Sequence, residues 1–121
     1  MANILVVEDT TTTQRLLEFI LQVGGHTVTS AFNGVEALDK LARGMYDLLI
    51  VDVAMPMMDG LTLLRELRAN THYTNLPIIM LTASAEDRLK TEALADGANI
   101  FLTKPISSTE LSEVVNSLLN V

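Results

Sequence analysis

Residues 48 to 60 read LLIVDVAMPMMDG. The run Leu48, Leu49, Ile50 and Val51 has the unbroken branched-aliphatic character of a parallel strand covered on both faces, yet it ends on Asp52, a charge such a strand should avoid. Three further runs share that character, at residues 4 to 7, 78 to 81 and 100 to 102, and a weaker one at 26 to 31 alternates instead. Between them lie segments with helical spacing: Leu16, Leu17, Ile20 and Leu21; Leu38, Leu41 and Ala42; Leu64 and Leu67; Leu89, Ala93 and Leu94; and last Leu111, Val114, Val115, Leu118 and Leu119. Gly24-Gly25, Gly44 and Gly97 fall where helices should stop, and Thr10 to Thr13 and Ser107 to Thr109 fall where caps are wanted. Ser107 and Glu110 have the spacing of a capping box.

Five strands alternating with five helices predict an α/β fold with a parallel sheet, right-handed crossovers and helices on both faces. The chain is too short for a closed eight-stranded barrel, so the expected form is a doubly wound open sheet. No linker, low-complexity stretch or internal repeat interrupts residues 1 to 121, which read as one domain. In such sheets ligands bind beyond the carboxyl ends of the strands, where the strand order reverses.

With 121 residues and 49% hydrophobic content, the chain can bury a core without staples. A formal charge of -7 argues against a nucleic-acid or anionic-membrane binder. The absence of cysteine excludes disulfides, thiolate zinc sites and thiol nucleophiles. No stretch has membrane-spanning length and the N-terminus lacks a signal-peptide pattern, so a soluble, cytoplasmic protein is expected.

The strands end in polar residues of a consistent kind: Glu8-Asp9, Asp52, Thr82, and Thr103-Lys104-Pro105. All would meet on one edge of the sheet. Three carboxylates crowded there would raise one another's pKa unless a cation sat among them. Oxygen donors without His or Cys favour a hard divalent ion, and Mg²⁺ is the natural candidate. An ionised aspartate beside Mg²⁺, a hydroxyl and a lysine has the parts for phosphoryl transfer onto the carboxylate itself. Taken singly, each residue has a plainer reading: Asp52 as a turn former, Glu8-Asp9 or Thr82 as helix caps, Lys104 as a solvated charge. Their coincidence on one edge favours the joint reading.

Here the sequence resembles the receiver domain of two-component response regulators, in the single-domain style of the chemotaxis regulator. The resemblance spans essentially the whole chain and rests on VVED at 6 to 9, LLIVDVAMPMMDG at 48 to 60, IIMLTASA at 78 to 85 and IFLTKP at 100 to 105. It implies a flavodoxin-like (βα)5 sandwich with strand order 2-1-3-4-5. It further implies that Asp52 accepts a phosphoryl group from a sensor histidine kinase or histidine phosphotransfer protein. Mg²⁺ would be held by Asp9, Asp52 and the Ala54 carbonyl, with Glu8 acting through water. Lys104 would contact the phosphate and precede a cis peptide to Pro105, while Thr82 and Phe101 would form a switch pair that reshapes the face of helix 4, strand 5 and helix 5 for a downstream target. Such a chain turns over no substrate and promotes only its own phosphorylation and dephosphorylation. It would act as a monomer or weak dimer, without direct contact to nucleic acid or membrane. Glu8 stands where aspartate is frequent in the family, Phe101 lacks a tyrosine's hydroxyl, and the small residues Ala54 and Ser84 occupy positions that influence aspartyl-phosphate lifetime.

Two other classes compete. A haloacid-dehalogenase-like phosphohydrolase needs a second aspartate two residues after its nucleophile, where this chain has Ala54. A flavodoxin-like FMN carrier needs a glycine-containing phosphate loop, where this chain has EDTTTTQ, and 4% aromatics leave little to stack on a flavin. Met55, Met57 and Met58 read as an adaptable contact surface or as gap fillers. His26 and His72 lack metal-ligand spacing, and the threonine tract is expected to cap the first helix and rim the acidic pocket.

Overall fold

The computed structural model describes residues 2–55, 57–83 and 86–120. Five strands, β1 (Asn3–Val7), β2 (Thr27–Ala31), β3 (Leu48–Asp52), β4 (Ile78–Thr82) and β5 (Ile100–Thr103), alternate with five helices, α1 (Thr11–Val23), α2 (Gly34–Arg43), α3 (Gly60–Ala69), α4 (Asp87–Ala95) and α5 (Ser108–Leu119). The strands form one parallel sheet in the order β2-β1-β3-β4-β5. The chain leaves β1 toward one edge and returns past it to build the other, so the order reverses between β1 and β3. This is the doubly wound, flavodoxin-like arrangement.

Side-chain alternation divides the sheet into two cores. Leu5, Val7, Leu49, Val51, Ile78 and Met80 pack against α2, α3 and α4. Ile4, Val6, Leu48, Ile50, Ile79 and Leu81 pack against α1 and α5. All residues of β3 and β4 are buried, as continuous aliphatic runs in central parallel strands demand. Ile50 has no exposed surface, and Ile50→Ala is expected to cost about 3–4 kcal/mol through lost transfer energy and a residual cavity. A urea unfolding curve checks this; a loss below about 1 kcal/mol would mean that the core relaxes into the gap.

Caps fix where the helices begin. Asn33, Asp59 and Ser107 each accept a hydrogen bond from the amide three residues on, at Glu36, Thr62 and Glu110. The threonine tract departs from its expected role: Thr10 is the N-cap of α1, but its hydroxyl makes no cap bond, and its amide donates instead to Glu8 Oε2 at 3.0 Å. The apolar stripes are narrower than their spacing implied, since Leu16, Ala42 and Leu94 are exposed. His26 lies just before β2, where its Nδ1 accepts from the Ala2 amide at 3.3 Å and burial lowers its pKa. A short 3-10 turn, Thr71–Tyr73, follows α3, started by the Asn70 side chain accepting from the His72 amide.

Helix α4 is attached differently from the others. Ala93 is its buried residue. Arg65 of α3 reaches across to Glu92 Oε1 at 2.6 Å and Asp96 Oδ2 at 2.8 Å. One turn on, Arg68 donates to the Gly97 carbonyl, the Tyr73 carbonyl and Asn99 Oδ1. Gly97 has φ +109, and a β-carbon there would meet Arg68 Cγ at 2.7 Å, so conformation and space both call for glycine.

Candidate phosphoacceptor and cation site

The carboxyl ends of β1, β3, β4 and β5 bring the predicted residues together. Glu8 follows β1 and is fully buried, with its amide donating to the Ala31 carbonyl at 3.0 Å. Asp9, next in the chain, is exposed. Asp52 and Thr82 are the last residues of β3 and β4, and each is only 4% exposed. The Lys104 amide donates to the Thr82 carbonyl at 2.7 Å, which pins the lysine beside the end of β4. The Lys104–Pro105 peptide bond is cis.

One cation already serves the cluster. Lys104 Nζ lies 2.7 Å from Glu8 Oε1 and 3.5 Å from Asp52 Oδ1. Burial of the ammonium works against its charge, but the Glu8 hydrogen bond and the Asp52 and Glu8 carboxylates outweigh it and raise its pKa. Lys104 therefore stays charged at neutral pH. Asp52 is pushed up from 3.8 to about 6, first by burial and then by the Glu8 charge, with Lys104 pulling the other way. The shorter contact runs to Glu8, so the lysine is held mainly by the neighbouring carboxylate while Asp52 keeps part of its charge unmatched.

Glu8, Asp9 and Asp52 each place a carboxylate oxygen within 4.8 Å of the others. An all-oxygen, trianionic donor set fits a hard divalent ion. Ala54, whose carbonyl was expected to join this set, lies exposed two residues past Asp52. Ser84 and Pro56 lie outside the described residues.

The loop from Asp52 to α3 is drawn tight. The Val53 amide donates to the Leu81 carbonyl, the Gly60 amide donates to the Val53 carbonyl at 2.8 Å, and Asp59 caps the helix. A β-carbon at Gly60 would lie 2.3 Å from the Asp52 carbonyl oxygen and 2.9 Å from Val53 Cα. Met57 takes a left-handed conformation, φ 68, and is exposed, while Met58 packs on Gly34 at the start of α2. Met58 and Met55 join the α2/α3/α4 core as gap fillers, and Met57 alone offers an outward surface. Phe101 is half-buried on that same core, opposite Met80 in register, so it shares a sheet face with Thr82. His72 is exposed, with Tyr73 against its ring edge at 5.0 Å.

Sequence reasoning missed Gln14. It is buried, and its amide nitrogen lies 3.1 Å from the Val6 carbonyl, 3.3 Å from that of Glu8 and 3.1 Å from that of Ala31. The available signal was spacing, because Gln14, Leu17 and Leu21 fall at i, i+3 and i+7 on the buried stripe of α1.

A five-stranded doubly wound sheet, with buried carboxylates bridged by a lysine at its switch point, defines a CheY-like receiver fold. The chain belongs to the response regulator receiver domain family, whose profile matches residues 4–116. Receiver domains work with histidine kinases in two-component systems, as phosphoryl-accepting signalling modules. The chain is 44% identical over 113 residues to an uncharacterized 14.6 kDa protein of Leptolyngbya boryana, covering 93% of this chain and 86% of that one. Several other curated relatives are much longer, and the chain spans 50%, 26% and 7% of three of them. The crystal structure of a putative response regulator from Chloroflexus aurantiacus J-10-fl superposes with a TM-score of 0.95 at 36% identity, covering 99% of this chain and 98% of that one. The receiver domain of sensor histidine kinase PA1611 from Pseudomonas aeruginosa PAO1, with a magnesium ion coordinated in its active site cleft, superposes at 0.90 with 32% identity, covering 99% and 98%. Among the described residues, no helix is long and apolar enough to cross a membrane.

Proposed function

We propose that residues 1 to 121 act as one phosphorylation-dependent switch in which Asp52 is the phosphoacceptor. The observation that carries this reading is a nearly buried Asp52 carboxylate facing Lys104 at 3.5 Å beside two further carboxylates. One Asp52 oxygen forms a bond to phosphorus as the bond from phosphorus to the kinase's histidine nitrogen breaks, and the imidazole leaves with that electron pair. Asp9, Asp52 and the Ala54 carbonyl would hold Mg²⁺, with Glu8 through water. Bound there, the ion offsets charge on the transferring phosphoryl group.

Lys104 supplies a positive charge to the phosphoryl oxygens, and transfer to them requires it to loosen its 2.7 Å pairing with Glu8. Thr82 offers its hydroxyl to the same oxygens. Phe101, on the same sheet face, responds by moving inward, which alters the surface of α4, β5 and α5 that a target protein reads. Ala54 provides no acid or base two residues after Asp52, so substrate turnover of the phosphohydrolase kind is not supported. The partner is a histidine kinase or a histidine phosphotransfer protein, and the setting is the cytoplasm.

Intact-mass spectrometry after incubation with acetyl phosphate, with and without Mg²⁺, tests this reading. One Mg²⁺-dependent phosphoryl group per chain is expected, and no gain under any condition would defeat it. Thr82→Ala should still take up phosphate but lose most of the spectral change in α4 and β5 followed by NMR. A full response in that variant would remove Thr82 from the switch.

A further inference from the structure

Gln14 is an anomaly in the packing of α1. It occupies a buried position on the stripe that Leu17, Ile20 and Leu21 fill with apolar side chains. Its two N–H groups face the three carbonyls of Val6, Glu8 and Ala31, and its Oε1 is buried with no hydrogen-bond partner among the described residues. An apolar residue would avoid that unpaired oxygen, so packing alone does not account for the amide.

What the amide does is specific. The β1–β2 ladder ends at the register pair Val7 and Ala31, and Glu8 lies just beyond it. There the Ala31 carbonyl accepts from both the Glu8 amide and Gln14, and Gln14 also reaches the Glu8 carbonyl. The carbonyl of Glu8 belongs to the peptide joining Glu8 to Asp9. Orienting that peptide sets the angle between the two carboxylates on either side of it. Glu8 is anchored independently, through Oε1 to Lys104 and Oε2 to the Thr10 amide. Asp9 is exposed, so its approach to Asp52 depends on the backbone that carries it.

We propose that Gln14 is a positioning residue for the cation site: by holding the Glu8–Asp9 peptide from beneath, it presents Asp9 to Asp52 at the spacing a divalent ion needs. The proposal rests on the cation site proposed above. Groups that orient metal ligands typically change affinity 10–100-fold when removed. Gln14→Met keeps the length and volume and removes both donors. Calorimetric titration with Mg²⁺ is expected to show a Kd about tenfold higher than wild type. Phosphoryl uptake from acetyl phosphate, measured against Mg²⁺ concentration, should need correspondingly more metal yet reach within about twofold of the wild-type maximum at saturation.

An unchanged Mg²⁺ Kd in a folded Gln14→Met protein would overturn the proposal, whatever happens to its melting temperature, because a merely structural amide would alter stability and leave affinity alone. Wild-type protein that binds no Mg²⁺ would remove the cation site itself, and the proposal with it. Should Gln14→Met fail to fold, NMR of the wild-type protein decides: the Gln14 side-chain NH₂ resonances should shift on Mg²⁺ titration with the same Kd as Asp9. Resonances that stay fixed through saturation would overturn it.

Discussion

Asp52→Asn is expected to abolish phosphoryl uptake and, in metal-free buffer at pH 7, to make the protein more stable than wild type. The folded state holds a proton on Asp52 up to about pH 6, whereas in the unfolded chain the ordinary value is 3.8. Between these two values the folded state binds more protons, so this group's effect on stability falls as pH rises through the window and levels off above it. At pH 7 the buried charge is therefore a net cost. A shift of about two units sets a ceiling of about 3 kcal/mol at 1.36 kcal/mol per unit, and solvent access to the cleft reduces the realised gain to roughly 1–2 kcal/mol. Urea denaturation at pH 7 and pH 4 checks the sign: the mutant's advantage should shrink at the lower pH. Mg²⁺ should also shrink it, by stabilising wild type more than the mutant. Equal midpoints at pH 7 without metal would contradict the assigned electrostatics.

Gly60→Ala should be the most damaging small substitution near the site. The added methyl would meet the carbonyl oxygen of Asp52 at 2.3 Å, and backbone on both sides leaves no flexible side chain to yield. Either α3 withdraws, breaking the hydrogen bond from the Gly60 amide to the Val53 carbonyl, or the end of β3 moves and takes Asp52 with it. A destabilisation of about 2–4 kcal/mol is expected, with phosphoryl uptake slowed at least about tenfold because small misplacements of reacting groups are costly. Urea unfolding and an uptake time course measure the two losses separately. Wild-type values in both would show that the loop accommodates a side chain after all.

The fold was legible because parallel strands buried on two faces leave a strong trace: the aliphatic runs of β1, β3, β4 and β5 mark themselves, and a polar residue of the candidate site lies within two residues after each. Strand β2 lies at the sheet edge with a half-buried face, so its alternation is weaker and its start one residue less certain. The turn at Thr71–Tyr73 was hidden because its initiating Asn70 is also the C-cap of α3. The stripe residues Leu16, Ala42 and Leu94 were misplaced because helical spacing gives a direction but not the width of the face that is covered. At the site, residue types and strand ends were enough to group Glu8, Asp9, Asp52, Thr82 and Lys104 on one edge of the sheet. The ordering within that group was not readable: that Lys104 sits closer to Glu8 than to Asp52, and that a glutamine lies beneath them, depend on tertiary distances.

The attachment of α4 bears on how a signal could travel. Apolar burial resists displacement at any ionic strength, whereas ion pairs in contact with water exchange partners readily. With Ala93 as its buried residue in the α2/α3/α4 core and Arg65 as a solvent-exposed tether, α4 carries less of that core than α2 or α3 does. Its amides should exchange with deuterium through local opening, well before those of β1 and β3. For the proposed switch, α4 is the face whose rearrangement would displace the least of the hydrophobic interior.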